Sequence, residues 1–301
     1  MVGALSRAMN RALFTSFFNP LNSISLLLLV SNAGLSPGLA GDAITSVPPS
    51  GEDRYSFCMD MAENAPDKGI NLALVWQTEG GGVPARHCEA VGLYYAGEYG
   101  ESALRLQHIA EDMRLGRDMP LNGGKRVVAR EALLAGMYDQ IARSWLLAGE
   151  IVRSESAIDT ALSLVAKNSQ AERNYLVTRA RIAAADGDHI LAIEDLSRVK
   201  KGDPGRVDIL LLLGSALRQA GRLVESEAAL TAYQATHKND PALYLELGNL
   251  YDKKGDKIAA RRAWVMVLQL EEAGINADAA RANIERLDVV VEKPREQAKI
   301  P

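Results

Sequence analysis

Aromatic residues make up only 5% of this 301-residue chain, although 48% of it is hydrophobic. Alanine and leucine supply the difference, a balance that favours helix over strand. Basic charge is not in excess either. Lys and Arg number 34 against 38 Asp and Glu, a net charge of -4, which excludes the basic footprint a nucleic-acid binder needs. Paired metal-ligand motifs are missing: there is no Cys-x-x-Cys and no His-Glu-x-x-His, so no metal or cofactor is expected. "GLSPG" (34–38) has the Gly-x-Ser-x-Gly spacing but lacks a strand-turn-helix setting. "NGGKR" (122–126) puts Arg126 where a phosphate loop needs Ser or Thr. No long apolar run occurs. "ISLLLLV" (Ile24–Val30) falls well short of the roughly 20 residues that span a bilayer.

That run has another use. Residues 1–40 contain Arg7 and Arg11, no acid, the apolar stretch and small residues up to Gly38 and Ala40. The order describes a secretory signal peptide, with an uncleaved anchor as the alternative. Residues 41–52 read as a flexible linker, and 292–301, charged and broken by Pro294, as a disordered tail. The localisation expected is periplasmic or secreted, in a bacterial envelope, with no membrane span once the leader is removed.

What the chain has in quantity is repetition. Gly187, Gly221 and Gly255 are 34 residues apart. The same step relates Ala180, Gly214 and Gly248, then Ala192, Ser226 and Ala260, then Leu196, Leu230 and Trp264. Small residues let one helix approach the next, glycine ends the first helix in a left-handed conformation, and the large residues fill the seam. The pattern over 173–274 resembles the tetratricopeptide repeat. That resemblance implies an all-α fold, a right-handed α-solenoid of helix-turn-helix repeats. Residues 275–291 form a C-terminal capping helix, with Asn276 placed to cap it.

Upstream the pattern loosens. "WLLAGEIVRSESAIDTAL" from Trp145 and "CEAVGLYYAGEYGESALRLQHIAEDM" from Cys88 look like further units. Tyr55 to Gly80 reads as a degenerate hairpin whose second helix opens at Pro66. Residues 53–115 are thus degenerate N-terminal hairpins and 126–274 the array, which starts on an overlong helix at Arg126. The break between them is "LGRDMPLNGGKR" (115–126).

Only two cysteines are present, Cys58 and Cys88. In an exported protein an even count favours a disulfide; two buried thiols, or a metal or redox site with His87, are the alternatives. On the repeat reading the two lie on the first helices of neighbouring hairpins, where a bond would staple them.

The resemblance also implies where a partner binds, since in this family the first helices line a concave groove that holds an extended peptide. Projected here, that surface carries Asn174, Arg181, Arg218, Asn249 and Lys253, able to clamp a carboxylate or peptide backbone. A solvated polar face is the competing reading. The function expected is a non-catalytic scaffold or assembly factor of the cell envelope that binds a protein or peptide. An envelope enzyme, or an enzyme-regulatory subunit acting on glycans or peptides, is the alternative.

Overall fold

A computed structural model describes residues 52–119, 121–122, 124–126 and 129–291. The leader at 1–40, the linker as far as Gly51 and the tail at 292–301 lie outside them. The described residues fall into two compact units, one ending at Arg126 and one beginning at Ala129.

The N-terminal unit contains helices α1 (Glu52–Asn64), α2 (Pro66–Thr78), α3 (Gly82–Tyr95) and α4 (Tyr99–Leu115). A two-residue antiparallel ladder follows, β1 (Leu121–Asn122) with β2 (Lys125–Arg126). Pro66 begins α2 where a missing N–H costs nothing. Gly69 on α2 touches α1 so closely that a Cβ would stand 2.5 Å from the Ala62 backbone. The core around this contact is small: Cys58, Ala62, Ala73, Cys88 and Val91. Cys58 on α1 and Cys88 on α3 are joined by a disulfide, their Cα atoms 6.0 Å apart. Closing a loop with a sequence separation of 30 is worth roughly 3–4 kcal/mol on the chain-entropy account. The bond compensates for a core with few large side chains.

The C-terminal unit is an α-solenoid of helical hairpins: α5 (Glu131–Leu147) with α6 (Ile151–Ser163), and α7 (Gln170–Asp186) with α8 (His189–Gly202). The pairs α9 (Leu210–Gln219) with α10 (Leu223–Gln234) and α11 (Pro241–Lys254) with α12 (Lys257–Leu270) follow, then the single helix α13 (Ile275–Val291). Each trailing helix packs on its own leading helix and on the leading helix of the next hairpin. The overlong helix expected from Arg126 is corrected here: Arg126 pairs in β2 and α5 starts only at Glu131.

One turn joins leading to trailing helix throughout. Gly149, Gly187, Gly221 and Gly255 are all left-handed, with φ between +79° and +93°, as is Gly97 in the α3–α4 turn of the other unit. Five residues after each of these glycines comes the closest helix crossing. Ala192 and Ala260 fill it in two hairpins. Ser102, Ser154 and Ser226 fill it in the others, wholly buried, each donating its hydroxyl to a leading-helix carbonyl twelve residues earlier. The acceptors are Ala90 O at 2.7 Å, Ala142 O at 2.6 Å and Gly214 O at 2.7 Å. Serine therefore does not break the small-residue rule; its hydroxyl finds a partner inside the crossing. Opposite it, a Cβ on Gly214 would lie 2.6 Å from Leu230 Cδ2, and one on Gly248 would enter the Trp264 ring.

The last helix keeps the register. Asn249 and Asn283, 34 residues apart, are linked by Asn283 Nδ2 donating to Asn249 Oδ1 at 3.1 Å. Asp252 and Arg286, also 34 apart, are linked at 2.7 Å. α13 is thus placed as one more leading helix. Its Arg281 and Glu285 take the columns where α11 turns Leu247 and Tyr251 toward α12, so it offers no apolar seam to a further helix. Asn276 does not cap α13. It lies inside the first turn and donates to Glu271 Oε2 at 2.9 Å.

Candidate protein-interaction face

The leading helices of the C-terminal unit meet through polar side chains as well as the apolar seam. Thr178 on α7 donates to Asp139 on α5 at 2.6 Å. Arg206, just before α9, donates to Asp208 at 2.7 and 2.8 Å and to Asn174 Oδ1 on α7 at 3.0 Å. Burial alone would raise the Asp208 carboxyl; the hydrogen bond from Arg206, with the charges of Arg206 and Arg181, holds it below the usual range. At the other end, burial would likewise raise Asp252, but Lys257 and Arg286 both donate to it and its pKa falls.

Against this frame the five projected residues separate. Asn174 and Lys253 are exposed, and Arg181 is half-buried, close enough to Asp208 to influence its charge. Arg218 is not an open cation. Every residue of α9 from Leu210 to Arg218 is buried, and the Arg218 guanidinium is committed to Glu246 of α11. Asn249 is half-buried and accepts from both Trp264 Nε1, at 3.2 Å, and Asn283. The expectation that these two face a groove is therefore corrected. They join α9 to α11 and α11 to α12 and α13.

A face remains, carrying Asn174, Arg181 and Lys253 together with Arg206 and Asp208, which single-helix projection did not pair. The signal that could have found Arg206 is its carboxylate neighbour two residues on, at the entrance to a leading helix. His189, the first residue of α8, borders the same region. Burial and the nearby charges of Arg218 and Lys253 hold its imidazole pKa down, opposed by Asp188. Among the described residues no cluster of His, Cys, Asp or Glu could hold a metal, and no helix is long and apolar enough to cross a membrane.

No curated protein sequence matches this one. Residues 183–247 match the family model described as tetratricopeptide repeat. Among solved structures, a tetratricopeptide repeat protein from Parabacteroides merdae superposes with TM-score 0.56 at 9% identity, over 78% of this chain and 86% of that one. The Cut9–Hcn1 hetero-tetramer of the APC/C gives TM-score 0.52 at 16% identity, over 80% of this chain and 44% of the other. The chain spans less than half of that second protein. These likenesses concern the fold, and with the match over 183–247 they make the array similar to tetratricopeptide repeats.

Proposed function

We propose that the protein is a non-catalytic scaffold or assembly factor of a bacterial cell envelope, holding a protein or peptide partner on the leading-helix face of its C-terminal unit. Tetratricopeptide-repeat proteins generally mediate protein–protein interactions, and one chain of similar fold belongs to the Cut9–Hcn1 hetero-tetramer of the APC/C. The observation that carries the reading is the division of labour along the leading helices. Their apolar columns are used in packing, while Asn174 and half-buried Arg181 on α7, and exposed Lys253 on α11 two hairpins on, remain outside the apolar seam. Two cations and an amide so spaced suit a carboxylate or an extended backbone. The envelope assignment rests on the leader at 1–40 and on the paired cysteines.

The test is affinity capture from the native host with the wild-type protein and with Arg181→Glu/Lys253→Glu. A partner held by the first and lost by a folded second supports the reading. A partner held equally by both moves the interaction elsewhere. Fractionation of the host, with N-terminal sequencing of the recovered protein, tests the export: a start near Gly41 is expected, and an intact Met1 rejects the cleaved leader.

A further inference from the structure

The first and the last of the described helices are held in different ways. α13 is held by packing: Ala277, Ala280, Asn283 and Leu287 are buried, and Ala280 belongs to the cluster of Leu245, Ala260, Trp264 and Val267. α1 has far less. Among its described side chains only Cys58 and Ala62 are buried, with Met59 half-buried beside them. Two polar ties add to these. Tyr55 Oη and His87 Nδ1 share a hydrogen bond at 2.6 Å, and Arg54 meets Glu79 at 2.6 Å while lying over the Trp76 ring. The helix does not steady itself. At 13 residues it is marginal alone, and its last turn carries Glu63 and no base, the wrong sign for a helix C-terminus. One of its two buried side chains is half of the Cys58–Cys88 disulfide. The bond is thus the largest single contribution holding α1 in place.

We propose that α1 is a redox-controlled cap: the disulfide holds it on α2 and α3, and reduction by a dithiol releases it and uncovers their apolar edge. In the exchange a thiolate of the dithiol attacks one sulfur, breaking the S–S bond and forming a mixed disulfide. The reductant's second thiol displaces that link and leaves as its own disulfide. Two electrons and two protons pass to Cys58 and Cys88, which end as thiols. The cap also guards its own bond. Both sulfurs belong to residues that are 0% exposed, so neither can be attacked until α1 lifts. Once the bond is gone, little returns the helix to its place. Its release bares Ala73 and Val91, with the half-buried Trp76 and Tyr95 beside them. The rest of the unit has its own support. α4 buries Leu106, Ile109, Ala110 and Met113, and Ser102 on it bonds Ala90 O of α3. The cap is therefore shut where disulfides persist and open where thiols prevail, and one chain presents two different surfaces in the two kinds of compartment.

Hydrogen exchange read by mass spectrometry tests this on the full chain, first oxidised and then held in dithiothreitol. The two states differ by one bond and keep every side chain. Reduction should speed exchange over α1 by about a hundredfold or more, the factor that matches the stabilisation of such a loop. α3, α4 and the helices of the C-terminal unit should keep their protection. Reduction itself should run at least about tenfold slower than that of a solvent-exposed peptide disulfide in the same dithiothreitol. Iodoacetamide should then modify both thiols and hold the cap open after the reductant is removed, because an enlarged Cys58 no longer fits a fully buried site. Without iodoacetamide, reoxidation should restore the slow exchange of α1. Equal protection of α1 in the two states overturns the proposal. So does loss of α1 to α4 as one block, which would make the bond a support of the whole unit. Reduction as fast as in the peptide overturns it too, since the sulfurs would then not be shut behind the helix. None of these outcomes involves Arg181 or Lys253, so they are independent of the partner face proposed above.

Discussion

Arg218 on α9 and Glu246 on α11 form a buried ion pair, Nε to Oε2 at 3.0 Å and Nη2 to Oε1 at 3.4 Å, with the residues 7% and 1% exposed. Two charges withdrawn from water are tolerable only while each satisfies the other. Removing one partner by Arg218→Met or Glu246→Leu should cost about 3–5 kcal/mol, whereas Arg218→Met with Glu246→Leu should recover most of it. Denaturant melts of the three variants and the double-mutant cycle check this. If Arg218→Met melts like the wild type, the residue is not an internal tie between α9 and α11.

A second pair shows what an ion pair replaces. Arg179 and Asp195 hydrogen-bond at 2.7 and 2.8 Å between α7 and α8. The same columns hold Leu213 with Ala229 one hairpin on, and Leu247 with Ala263 two hairpins on. The hydrogen bond to Asp195 raises the Arg179 pKa against its partial burial. Arg179→Leu alone strands a buried carboxylate and should cost about 3–5 kcal/mol. Arg179→Leu with Asp195→Ala copies the neighbouring hairpins and should be neutral or stabilising. A double variant as weak as the single one would show that these columns are not equivalent.

At the helix crossing, Ser226→Ala should cost about 1 kcal/mol, the usual net worth of one hydrogen bond, since alanine already fills the position in two hairpins. Gly248→Val should be far worse, because its side chain has to enter the space of Trp264, which is fully buried. A loss at the upper end of the roughly 1–3 kcal/mol range for overpacking is expected, with the defect confined to the last hairpin. Amide exchange resolves the second point: protection should fall over α11 to α13 and persist over α7 and α8.

How far the sequence could be read depended on whether a feature repeats. Turn glycines, small crossings and the large residues at Leu196, Leu230 and Trp264 recur every 34 residues, and the all-α hairpin architecture follows from them. The polar face does not recur. Arg218, Asp252 and Arg286 share one column yet have different partners, because the facing helix carries Glu246 in one case and a matched residue in the next. A projection that treats every hairpin alike therefore left Arg218 and Asn249 open to solvent. The clue lay between units: Asn249 with Asn283, and Asp252 with Arg286, are complementary residues 34 apart. Neighbouring columns mattered too, since Glu246 lies six residues short of a full repeat from Arg218. The helix expected from Arg126 failed for a local reason. Asn122 pairs with Lys125 and Leu121 with Arg126 there, with Gly124 left-handed, so the chain runs as two short strands before α5 begins.

Acidification provides the last test. The His189 imidazole is held below its ordinary pKa by burial, then by Arg218 of α9 and Lys253 of α11, with Asp188 of its own turn acting in the opposite sense. In the unfolded chain it takes up a proton near pH 6.5, before the folded protein does. The unfolded state then binds more protons, so stability rises with pH across this window and is lost as pH falls through it. The depressed carboxylates Asp208 and Asp252 act later, since their unfolded counterparts protonate only near pH 4. Between about pH 6.5 and 4.5 the slope of melting temperature against pH should therefore be shallower in His189→Asn than in the wild type. Lys253→Gln should flatten it partly, because one repelling charge is gone while burial and Arg218 remain. Identical slopes in wild type and His189→Asn would mean that the imidazole is solvated and that Arg218 and Lys253 do not converge on it.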